Sequence, residues 1–374
     1  MGELAFFNPK EKLPDVFEYV DLESVVGIEM LSHRTEEKAT APSRAQRLAH
    51  TGDLFYQTVR PYQKNNYLFE KPEKHYVFST GYAQLRPLVD GYFLLSLVQN
   101  GQFVKTVLDN CTGTNYPAIN ANDLAEIDVF YPKDEHEHHQ IGEYFRHLDN
   151  IIILHQQKIT LLTKLKKAML EKMFPKKGTV IPEFRFNGFA NAWEQRKFSE
   201  LYARSSEKND GSIGMDKNIT VAIMQFKNDV KVSTTEYLKT YYTFKLGDIA
   251  FEGHQSKEFR YGRFVENDIG NGIVSHIFAV FRPIQEYDLY FWKYAINNEA
   301  LMQRILARST KASTMMHDLV TNDFLNETFL VPSVKEQKQI GAFLNKLDNL
   351  ITLHQHKLDM LKKLKSACLS EMFI

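Results

Sequence analysis

The sequence has few cysteines and no long apolar run, and both absences limit what the protein can be. Its two cysteines, Cys111 and Cys368, are widely separated, which argues against a disulfide framework and against a zinc site built from paired cysteines. No run of about eighteen apolar residues occurs, so a membrane helix is not predicted. The first residues also lack the features of a secretion signal. We therefore expect a cytoplasmic protein without a membrane partner.

An excess of charge of either sign is also missing. The 374 residues include 46 Lys and Arg and 46 Asp and Glu, which gives a net charge of zero. DNA-binding domains usually carry a basic excess, because basic side chains neutralise phosphates. A net charge of zero for the whole chain still allows basic side chains to cluster on one face. The length predicts at least two domains, but composition alone distinguishes neither a DNA-binding protein nor a protein-only scaffold.

What the sequence does contain is an internal repeat. Residues 140–174 align with residues 339–373 at a constant offset of 199, and 19 of the 35 aligned positions are identical. Both copies contain Gln-Ile-Gly, Leu-Asp-Asn and Leu-His-Gln, and both end in Met-Phe. A repeat of this length indicates a tandem duplication.

Each copy of the repeat is predicted to be one long helix. Asp134 and Ser333 can cap the two helices, and the glutamates three residues later, Glu137 and Glu336, complete predicted capping boxes. Apolar residues then recur at alternating spacings of four and three, which is typical of helices that pack together as a coiled coil. His155 and His354 occupy equivalent positions in this seam. They are interpreted as a polar pair that fixes the register or, alternatively, as a contact to a partner protein.

The regions before the two helices repeat more weakly. Gly-Asp-Leu at 52–54 matches Gly-Asp-Ile at 247–249, and Arg-Pro at 86–87 matches Arg-Pro at 282–283. Short apolar runs alternate with turns, and helical segments are predicted near 91–99 and 291–307. We predict an α+β protein in which two α/β lobes are separated by two long antiparallel helices in a pseudo-two-fold repeat. The predicted segments are 1–133, 134–177, 178–332 and 333–374.

Several motifs resemble those of a known family. Pro182–Phe186 followed by Trp193–Lys197 is similar to the opening of a type I target-recognition domain. Gly52–Leu54 with Thr58–Pro61, and Gly113-Thr114 before Pro117, resemble other parts of that domain. The two helices resemble the repeated spacers of the specificity subunit of type I restriction-modification systems. The resemblance covers nearly the whole chain.

This resemblance implies a division of labour within a larger complex. Two methyltransferase subunits that use S-adenosylmethionine would bind the helices, and two restriction and translocase subunits that use ATP and magnesium would join them. The chain itself would hold no cofactor or metal and no catalytic residue. It would recognise double-stranded DNA at two short half-sites separated by an unspecified gap. The first lobe has no counterpart of residues 182–197, so an inactive variant copy remains an alternative.

The sequence lacks the motifs of nucleotide binding and of methyl transfer, as expected of a non-catalytic chain. The sequence has no GxxxxGK[ST] loop for nucleotide phosphates and no Asn-Pro-Pro-aromatic run of adenine methyltransferases. Asp248, Glu252 and His254 are the closest approach to a nuclease site, but the lysine is missing. His136, His138 and His139 are interpreted as a solvated helix start, because the second copy has no histidine there.

Residues that could contact DNA are chosen by chemistry. Arg, Lys, Asn and Gln read base edges, and basic or hydroxyl side chains contact phosphates. The candidates are Arg34, Arg44, Arg47, Gln57, Arg60, Lys64 and Thr114 in the first lobe, and Arg204, His254, Gln255, Lys257, Arg260, Arg263, Thr310 and Lys311 in the second. The lysine-rich run from Lys158 to Lys177 is interpreted as a solvated face or as a contact to DNA or a partner. A scaffold that binds no DNA is the main alternative, and a standalone nuclease is disfavoured.

Overall fold

The computed structural model describes residues 1–71, 75–113, 115–227, 234–313 and 316–373. The chain forms two compact units. Unit 1 contains Met1–Lys158 and His354–Ile374, and unit 2 contains Ile159–Leu353. Each unit therefore holds one lobe, the start of the long helix that follows it, and the end of the other long helix. Within the described residues, no helix is both long and apolar enough to cross a membrane.

Unit 1 contains ten described strands and three short helices before the first long helix. The strands are β1 (Ala5–Phe7), β2 (Val16–Val20), β3 (Val25–Val26), β4 (Glu29–Met30), β5 (Arg34–Glu37), β6 (Ala45–Leu48), β7 (Leu54–Gln57), β8 (Tyr67–Leu68), β9 (Tyr76–Ser79) and β10 (Tyr82–Pro87). The helices are α1 (Gly91–Gln99), α2 (Gly101–Asp109), α3 (Ala121–Glu126) and the long α4 (Glu135–Lys172), whose end lies in unit 2.

Unit 2 contains twelve described strands. They are β11 (Glu194–Lys197), β12 (Tyr202–Ser205), β13 (Ile219–Thr220), β14 (Gln225–Phe226), β15 (Tyr242–Phe244), β16 (Ile249–Glu252), β17 (Arg263–Glu266), β18 (Gly272–Val274), β19 (Ala279–Pro283), β20 (Thr310–Ala312), β21 (His317–Leu319) and β22 (Thr328–Val331). Its helices are α5 (Phe198–Leu201), α6 (Thr235–Leu238), α7 (Leu289–Ile296), α8 (Glu299–Ser309), α9 (Thr321–Asn326) and the long α10 (Val334–Met372). The helical segments predicted near 91–99 and 291–307 are thus confirmed.

The two lobes share one strand topology. Unit 1 has an antiparallel sheet in the order β1-β10-β7-β8, and unit 2 has the equivalent order β12-β19-β16-β17. A second sheet in unit 1 has the order β5-β2-β9-β6, with β2 and β9 parallel. In unit 2 the equivalent pairs are β14-β13 and β18-β15, joined by a parallel bridge between Asn218 and Ile273. The tandem repeat therefore includes the lobes.

The two long helices pack together and run antiparallel in each unit. In unit 1, His155 lies beside His354 and Asp149 beside Lys365, so partner numbers rise as residue numbers fall. Helices of this length span about 57 Å at 1.5 Å per residue. The predicted α+β class with two long antiparallel helices is confirmed.

The histidines of the seam form a direct pair in unit 1. The Nδ1 atoms of His155 and His354 are 2.8 Å apart, and the ring centroids are 5.0 Å apart. One nitrogen must donate and the other accept at this distance. Partial desolvation, and then the neighbouring charge of His155, lower the pKa of His354. The pair is therefore favoured when at least one ring is neutral.

The repeated Gly-Asp and Arg-Pro motifs pair within each lobe. Arg86 on β10 binds the buried Asp53 before β7 through Nε and Nη2, at 2.9 and 3.1 Å. Arg282 on β19 binds the buried Asp248 before β16 in the same way, at 3.0 Å for both contacts. Such two-pronged contacts between charged groups are among the strong hydrogen bonds. These motifs therefore fasten neighbouring strands.

The repeated glycines of the long helices allow each lobe to approach its helix closely. Asp90 caps α1 and Asp288 caps α7. A Cβ atom added to Gly142 would lie 3.0 Å from the Phe93 nitrogen, and one added to Gly341 would lie 2.6 Å from the Phe291 nitrogen, and each would meet the capping carboxylate. A glycine is required at both joints for this steric reason.

Beside each joint, an aspartate of one long helix binds a tyrosine of the lobe and a lysine of the other long helix. In unit 1, Asp149 lies 2.5 Å from the Nζ atom of Lys365 and 3.2 Å from the Tyr92 hydroxyl. In unit 2, Asp348 lies 2.6 Å from the Nζ atom of Lys166 and 2.6 Å from the Tyr294 hydroxyl. These triads join three elements in each unit. Their members are Tyr92, Asp149 and Lys365 in unit 1 and Tyr294, Asp348 and Lys166 in unit 2.

An arm, residues 178–197, precedes the second lobe and packs on unit 2. Arg185 binds Glu336 with two contacts of 2.6 and 2.7 Å. The Trp193 ring lies 5.9 Å from the Phe174 ring, and β11 then pairs with β22. The predicted capping box at Glu336 is therefore only half correct: its backbone nitrogen donates to the Ser333 hydroxyl at 3.4 Å, but its carboxylate binds the arginine of the arm instead.

Glu266 on β17 has a buried carboxyl group. Neither of its oxygens has a hydrogen-bond partner within the described residues. Burial, followed by the nearby Asp268 and Asp288, raises the pKa of Glu266 well above its ordinary value of 4.5. The folded protein therefore binds a proton that the unfolded chain releases, and stability falls as the pH rises above 4.5.

Replacing Glu266 by glutamine is expected to remove this pH dependence. Above pH 4.5, the wild-type chain should lose up to about 1.4 kcal/mol per pH unit relative to the variant, until the raised pKa of Glu266 is reached. Urea unfolding of both proteins between pH 4 and pH 8 measures the difference. Parallel stability curves across this range would contradict the expectation.

Candidate nucleic-acid interface

Two segments predicted separately from the sequence meet at one surface of the second lobe. The loop after β16 forms a bridge from His254 to Met316 at the β20–β21 hairpin. The rings of Tyr261 and His317 are 5.4 Å apart, and the His317 backbone nitrogen donates to the Gly253 oxygen at 2.8 Å. We call residues 253–262 with 310–313 and 316–319 the loop–hairpin surface of the second lobe. It brings the candidates near 254–260 together with those at 310 and 311.

Three cationic side chains of this surface are exposed and form no ion pair within the described residues. Lys257, Arg260 and Lys311 are solvent exposed, and no ion pair involves them in the described part of the chain. The guanidinium of Arg260 lies over the Tyr261 ring, 5.7 Å from its centroid. His254 and Gln255 are exposed beside them. This arrangement presents positive charge and hydrogen-bond donors without internal neutralisation.

The remaining candidates of the second lobe use their polar groups internally. Arg263 binds Glu252 at 2.8 Å and the Ala222 oxygen at 2.6 Å. Arg204 donates to two backbone oxygens on β12 and β19, and burial lowers its pKa. The Thr310 hydroxyl donates to the Leu306 oxygen at the end of α8 at 2.7 Å. A DNA contact by these three side chains would have to replace existing bonds.

The first lobe has an equivalent loop–hairpin surface, formed by residues 58–64 with 112, 113 and 115–118. Bridges link Ala118 to Val59 and to Thr112, and the Arg60 backbone nitrogen donates to the Pro117 oxygen at 2.7 Å. The Arg60 guanidinium lies 4.4 Å from the centroid of the Tyr116 ring. Each lobe thus places an arginine over a tyrosine at this surface. Thr114, a further candidate, lies outside the described residues.

Two candidates of the first lobe are corrected by their surroundings. Gln57 is 2% exposed, and its amide donates to the Val59 oxygen at 2.6 Å and to the Gln63 side chain at 2.8 Å. A side chain buried in this way is not available to DNA, so this prediction is wrong. Lys64 donates to the Gln99 oxygen at 2.8 Å, and burial lowers its pKa. It fastens the loop to the end of α1.

Of the other three candidates in the first lobe, Arg34 forms ion pairs with acidic side chains, whereas no ion pair of the described residues involves Arg44 or Arg47. Arg34 contacts Asp21 and Glu36 at 2.7 Å each, so its charge is neutralised. Arg44 is exposed in the turn before β6, and no ion pair involves it in the described ranges. Arg47 is half-buried, and its buried Nε atom has no partner there. Burial lowers the pKa of Arg47, because no acid offsets the desolvation. Among the candidates of this sheet, Arg44 and Arg47 therefore have no acidic partner in the described part of the chain.

The histidines at the start of α4 make separate contacts. The buried His138 ring stacks on Phe93 with centroids 4.5 Å apart, and its Nε2 atom bonds the Pro132 oxygen. His139 contacts Asp90 at 3.2 Å. The interpretation as a solvated helix start is therefore wrong for His138, which is 3% exposed because it packs between α4 and the lobe. The aromatic partners Tyr116 and Tyr261 were not among the candidates, although an aromatic beside a basic residue is a recognisable sequence signal.

Comparisons with known proteins give a consistent result. A family model for the type I restriction modification DNA specificity domain matches residues 173–363. The type I restriction enzyme MjaVIII specificity subunit of Methanocaldococcus jannaschii is 23% identical over 292 residues, which cover 74% of this chain and 67% of that protein.

Two solved structures share the fold. The S subunit of a type I restriction-modification system from M. genitalium has a TM-score of 0.62 at 14% identity, covering 100% of this chain and 94% of that one. A chain from a study of complex assembly and conformational transition of the type I R-M system has a TM-score of 0.51 at 19% identity, covering 99% and 95%. Because the family model spans more than half of the sequence, this chain belongs to the type I restriction-modification DNA specificity family, as its internal repeat and motifs predicted.

Proposed function

We propose that each lobe of this chain recognises one half-site of a bipartite DNA target and that the two long helices set the gap between the half-sites. The observation that carries the proposal is the repeated lobe topology combined with different side chains at equivalent surfaces. The first lobe presents Arg60 at its loop–hairpin surface, whereas the second presents Lys257, Arg260 and Lys311. Similar scaffolds with different polar groups suit the recognition of two different sequences.

The free cations and donors of the two lobes are the residues proposed to contact DNA. An arginine can bind guanine with two hydrogen bonds, and glutamine can bind adenine in the same way. An arginine held over a tyrosine loses less side-chain freedom when it binds. Lysines contribute mainly by contacting phosphates. The proposed set is Arg44, Arg47 and Arg60 in the first lobe and His254, Gln255, Lys257, Arg260 and Lys311 in the second.

Catalysis on this proposal is supplied by other subunits. Two methyltransferase subunits would carry S-adenosylmethionine, and two restriction and translocase subunits would carry ATP and magnesium. The family of the chain and the complex assembly named for one structural relative support such partners. The contribution of this chain would be to bind the target DNA and to position the methyltransferases on it.

A matched insertion tests the role of the helices. Four residues inserted after Lys158 and four after Leu353, where both helices pass from one unit to the other, should lengthen both helices by about 6 Å, which is nearly two base-pair steps of about 3.4 Å. The recognised gap should grow by one or two base pairs while both half-sites stay unchanged. Sequencing of methylated sites in cells that contain the partner subunits measures both quantities.

The control carries the insertion in only one helix. It should abolish methylation, because the His155–His354 pair and the triads can then no longer form together. Half-sites that change at a constant gap would contradict the proposed role of the helices.

A scaffold that binds no DNA is the second candidate, and specific observations favour it. The net charge is zero, and Arg34 and Arg263 are neutralised by acids. The two functions differ in salt dependence, because DNA binding through phosphates weakens steeply as salt rises. If the assembled complex shows no salt-sensitive DNA binding in a band-shift assay, the scaffold is the correct function.

A further inference from the structure

The first lobe has an open space at a position that a tyrosine ring fills in the second lobe. In unit 2, Tyr287 lies against Gly247, and a Cβ atom added to this glycine would lie 2.6 Å from the Cζ atom of the ring. The equivalent glycine in unit 1 is Gly52, which also has a positive φ and also precedes the buried aspartate of its lobe. A Cβ atom added to Gly52 would have no neighbour within 4 Å among the described residues.

The difference arises in the connection that leads to the first helix of each lobe after the sheet. Two residues, 88–89, separate the Arg-Pro pair from the capping aspartate in unit 1, whereas four residues, 284–287, separate them in unit 2. The residue before the cap is Val89 in unit 1 and Tyr287 in unit 2, and both pack against the core of their unit. The valine side chain is too short to fill the space that the tyrosine ring fills.

The open space in unit 1 is a cavity of about 500 Å³ beside Gly52, which we call the Gly52 cavity. Leu68 lines it and is 8% exposed. This leucine has the position in its sheet that Glu266 has in unit 2, so the buried wall is apolar in unit 1. Glu70 and Arg146 also line the cavity and reach solvent. A ligand can therefore enter from solvent and bury an apolar ring inside.

The charged groups that line the Gly52 cavity already have partners. Their contacts are Asp53 with Arg86, Glu70 with Arg146, and Asp90 with the backbone nitrogens at the start of α1. A charged ligand would have to replace one of these contacts, whereas a neutral ligand would leave them intact. The Arg146 guanidinium lies 5.4 Å from the centroid of the Tyr92 ring, and such a cation also attracts the face of an aromatic ligand.

We propose that the Gly52 cavity binds a neutral phenol ring, supplied either as a tyrosine side chain of a partner polypeptide or as a free phenolic compound. The ring would lie against Gly52 as Tyr287 lies against Gly247 in unit 2. The Tyr287 hydroxyl donates to the Leu246 oxygen at 3.5 Å. The equivalent acceptor for the ligand is the backbone oxygen of Thr51, the residue before the glycine.

Fluorine NMR of 4-fluorophenol with the full chain tests the proposal. The ligand signal should show saturable binding at one site per chain, because Tyr287 fills the equivalent space in unit 2. A Kd of about 1 mM or below is expected for a ligand of this size in a preformed cavity. Absence of saturable binding would overturn the proposal.

Two variants that fill the Gly52 cavity identify the binding site. Val89→Tyr places a ring beside the cavity from the position that Tyr287 has in unit 2, and Thr51→Trp places an indole at its rim. Each should weaken the binding of 4-fluorophenol by about tenfold or more. Because Thr51 is exposed, the second variant should fold even where the first does not, which thermal unfolding verifies.

Leu88→Tyr is the matched control for these variants. Leu88 precedes Val89, is 54% exposed and does not line the cavity, so this change should leave the Kd unaltered. If a correctly folded Thr51→Trp chain bound 4-fluorophenol as tightly as the unchanged chain, the ring would lie elsewhere and the proposal would be wrong.

Two competing probes distinguish the sources of the ring. p-Cresol represents a free phenolic compound, and the capped peptide acetyl-Gly-Tyr-Gly-amide represents a tyrosine within a polypeptide. Displacement of 4-fluorophenol by both probes supports a partner polypeptide, because the cavity then admits the backbone on either side of the ring. Displacement by p-cresol alone supports a free phenolic compound. Displacement by neither probe would overturn the proposal.

Discussion

Replacing Gly341 by alanine is expected to destabilise unit 2 by about 2–4 kcal/mol, the sum of overpacking and of a lost helix cap. The added Cβ atom would lie 2.6 Å from the Phe291 nitrogen and would also meet the carboxylate of Asp288. That carboxylate accepts a hydrogen bond of 2.8 Å from the Phe291 backbone nitrogen and thereby caps α7. The lobe would have to move away from the long helix. Denaturant unfolding of the full chain measures the loss.

Gly101→Ala is the matched control for this experiment. Gly101 begins α2, and an added Cβ atom has no neighbour within 4 Å there. Alanine should therefore stabilise slightly, by up to about 1 kcal/mol, through its higher helix propensity. If Gly341→Ala and Gly101→Ala had the same effect, steric contact at the joint would not be the reason for the glycine.

Replacing Asp149 by alanine is expected to cost about 3–5 kcal/mol, the usual loss when one partner of a buried ion pair is removed. Asp149 is 4% exposed, and its side chain binds both Lys365 and the Tyr92 hydroxyl. Removal leaves the ammonium of Lys365, whose side chain is 17% exposed, without its acid. Calorimetry or urea unfolding of the variant tests this.

The equivalent change in unit 2 is a control within the same chain. The side chains of Asp348 and Lys166 are 29% and 26% exposed, so solvent can replace part of the lost interaction. Asp348→Ala should therefore cost less, about 1–2 kcal/mol. Adding Lys365→Met to Asp149→Ala should recover part of the larger loss, because no unpaired charge then remains. Equal losses in the two units would contradict the importance of burial.

The sequence predicted the helices and the repeat because both depend on local or periodic patterns. The spacing of apolar residues defines a helix face without reference to distant contacts. The identical Gln-Ile-Gly and Leu-Asp-Asn segments correspond to the glycine of each joint and the aspartate of each triad. Those positions contact groups of the same kind in both units, a capping carboxylate for the glycine and a tyrosine with a lysine for the aspartate, which accounts physically for their identity in the two copies.

The candidate site was less predictable, because the pairing of a polar side chain depends on residues distant in sequence. Arg263 and Lys257 are both cations near one loop, yet only Arg263 meets an acid, Glu252, on the neighbouring strand. Gln57 lies on β7, whose four residues are all buried, so strand alternation gives no exposed face. Glu336 binds an arginine 151 positions away instead of its own helix start. Such choices follow from tertiary packing.

The division of both long helices between the units has a consequence for a chain cut between the lobes. The first fragment would still end in Met173 and Phe174, which belong to the core of unit 2, and the second would end near Leu369, which belongs to the core of unit 1. Each fragment would thus complete the hydrophobic interior of the other. Proteolytic cleavage at such a site should therefore leave the two fragments bound to each other. Each fragment ends in a helix that is packed in the hydrophobic core formed by the other fragment.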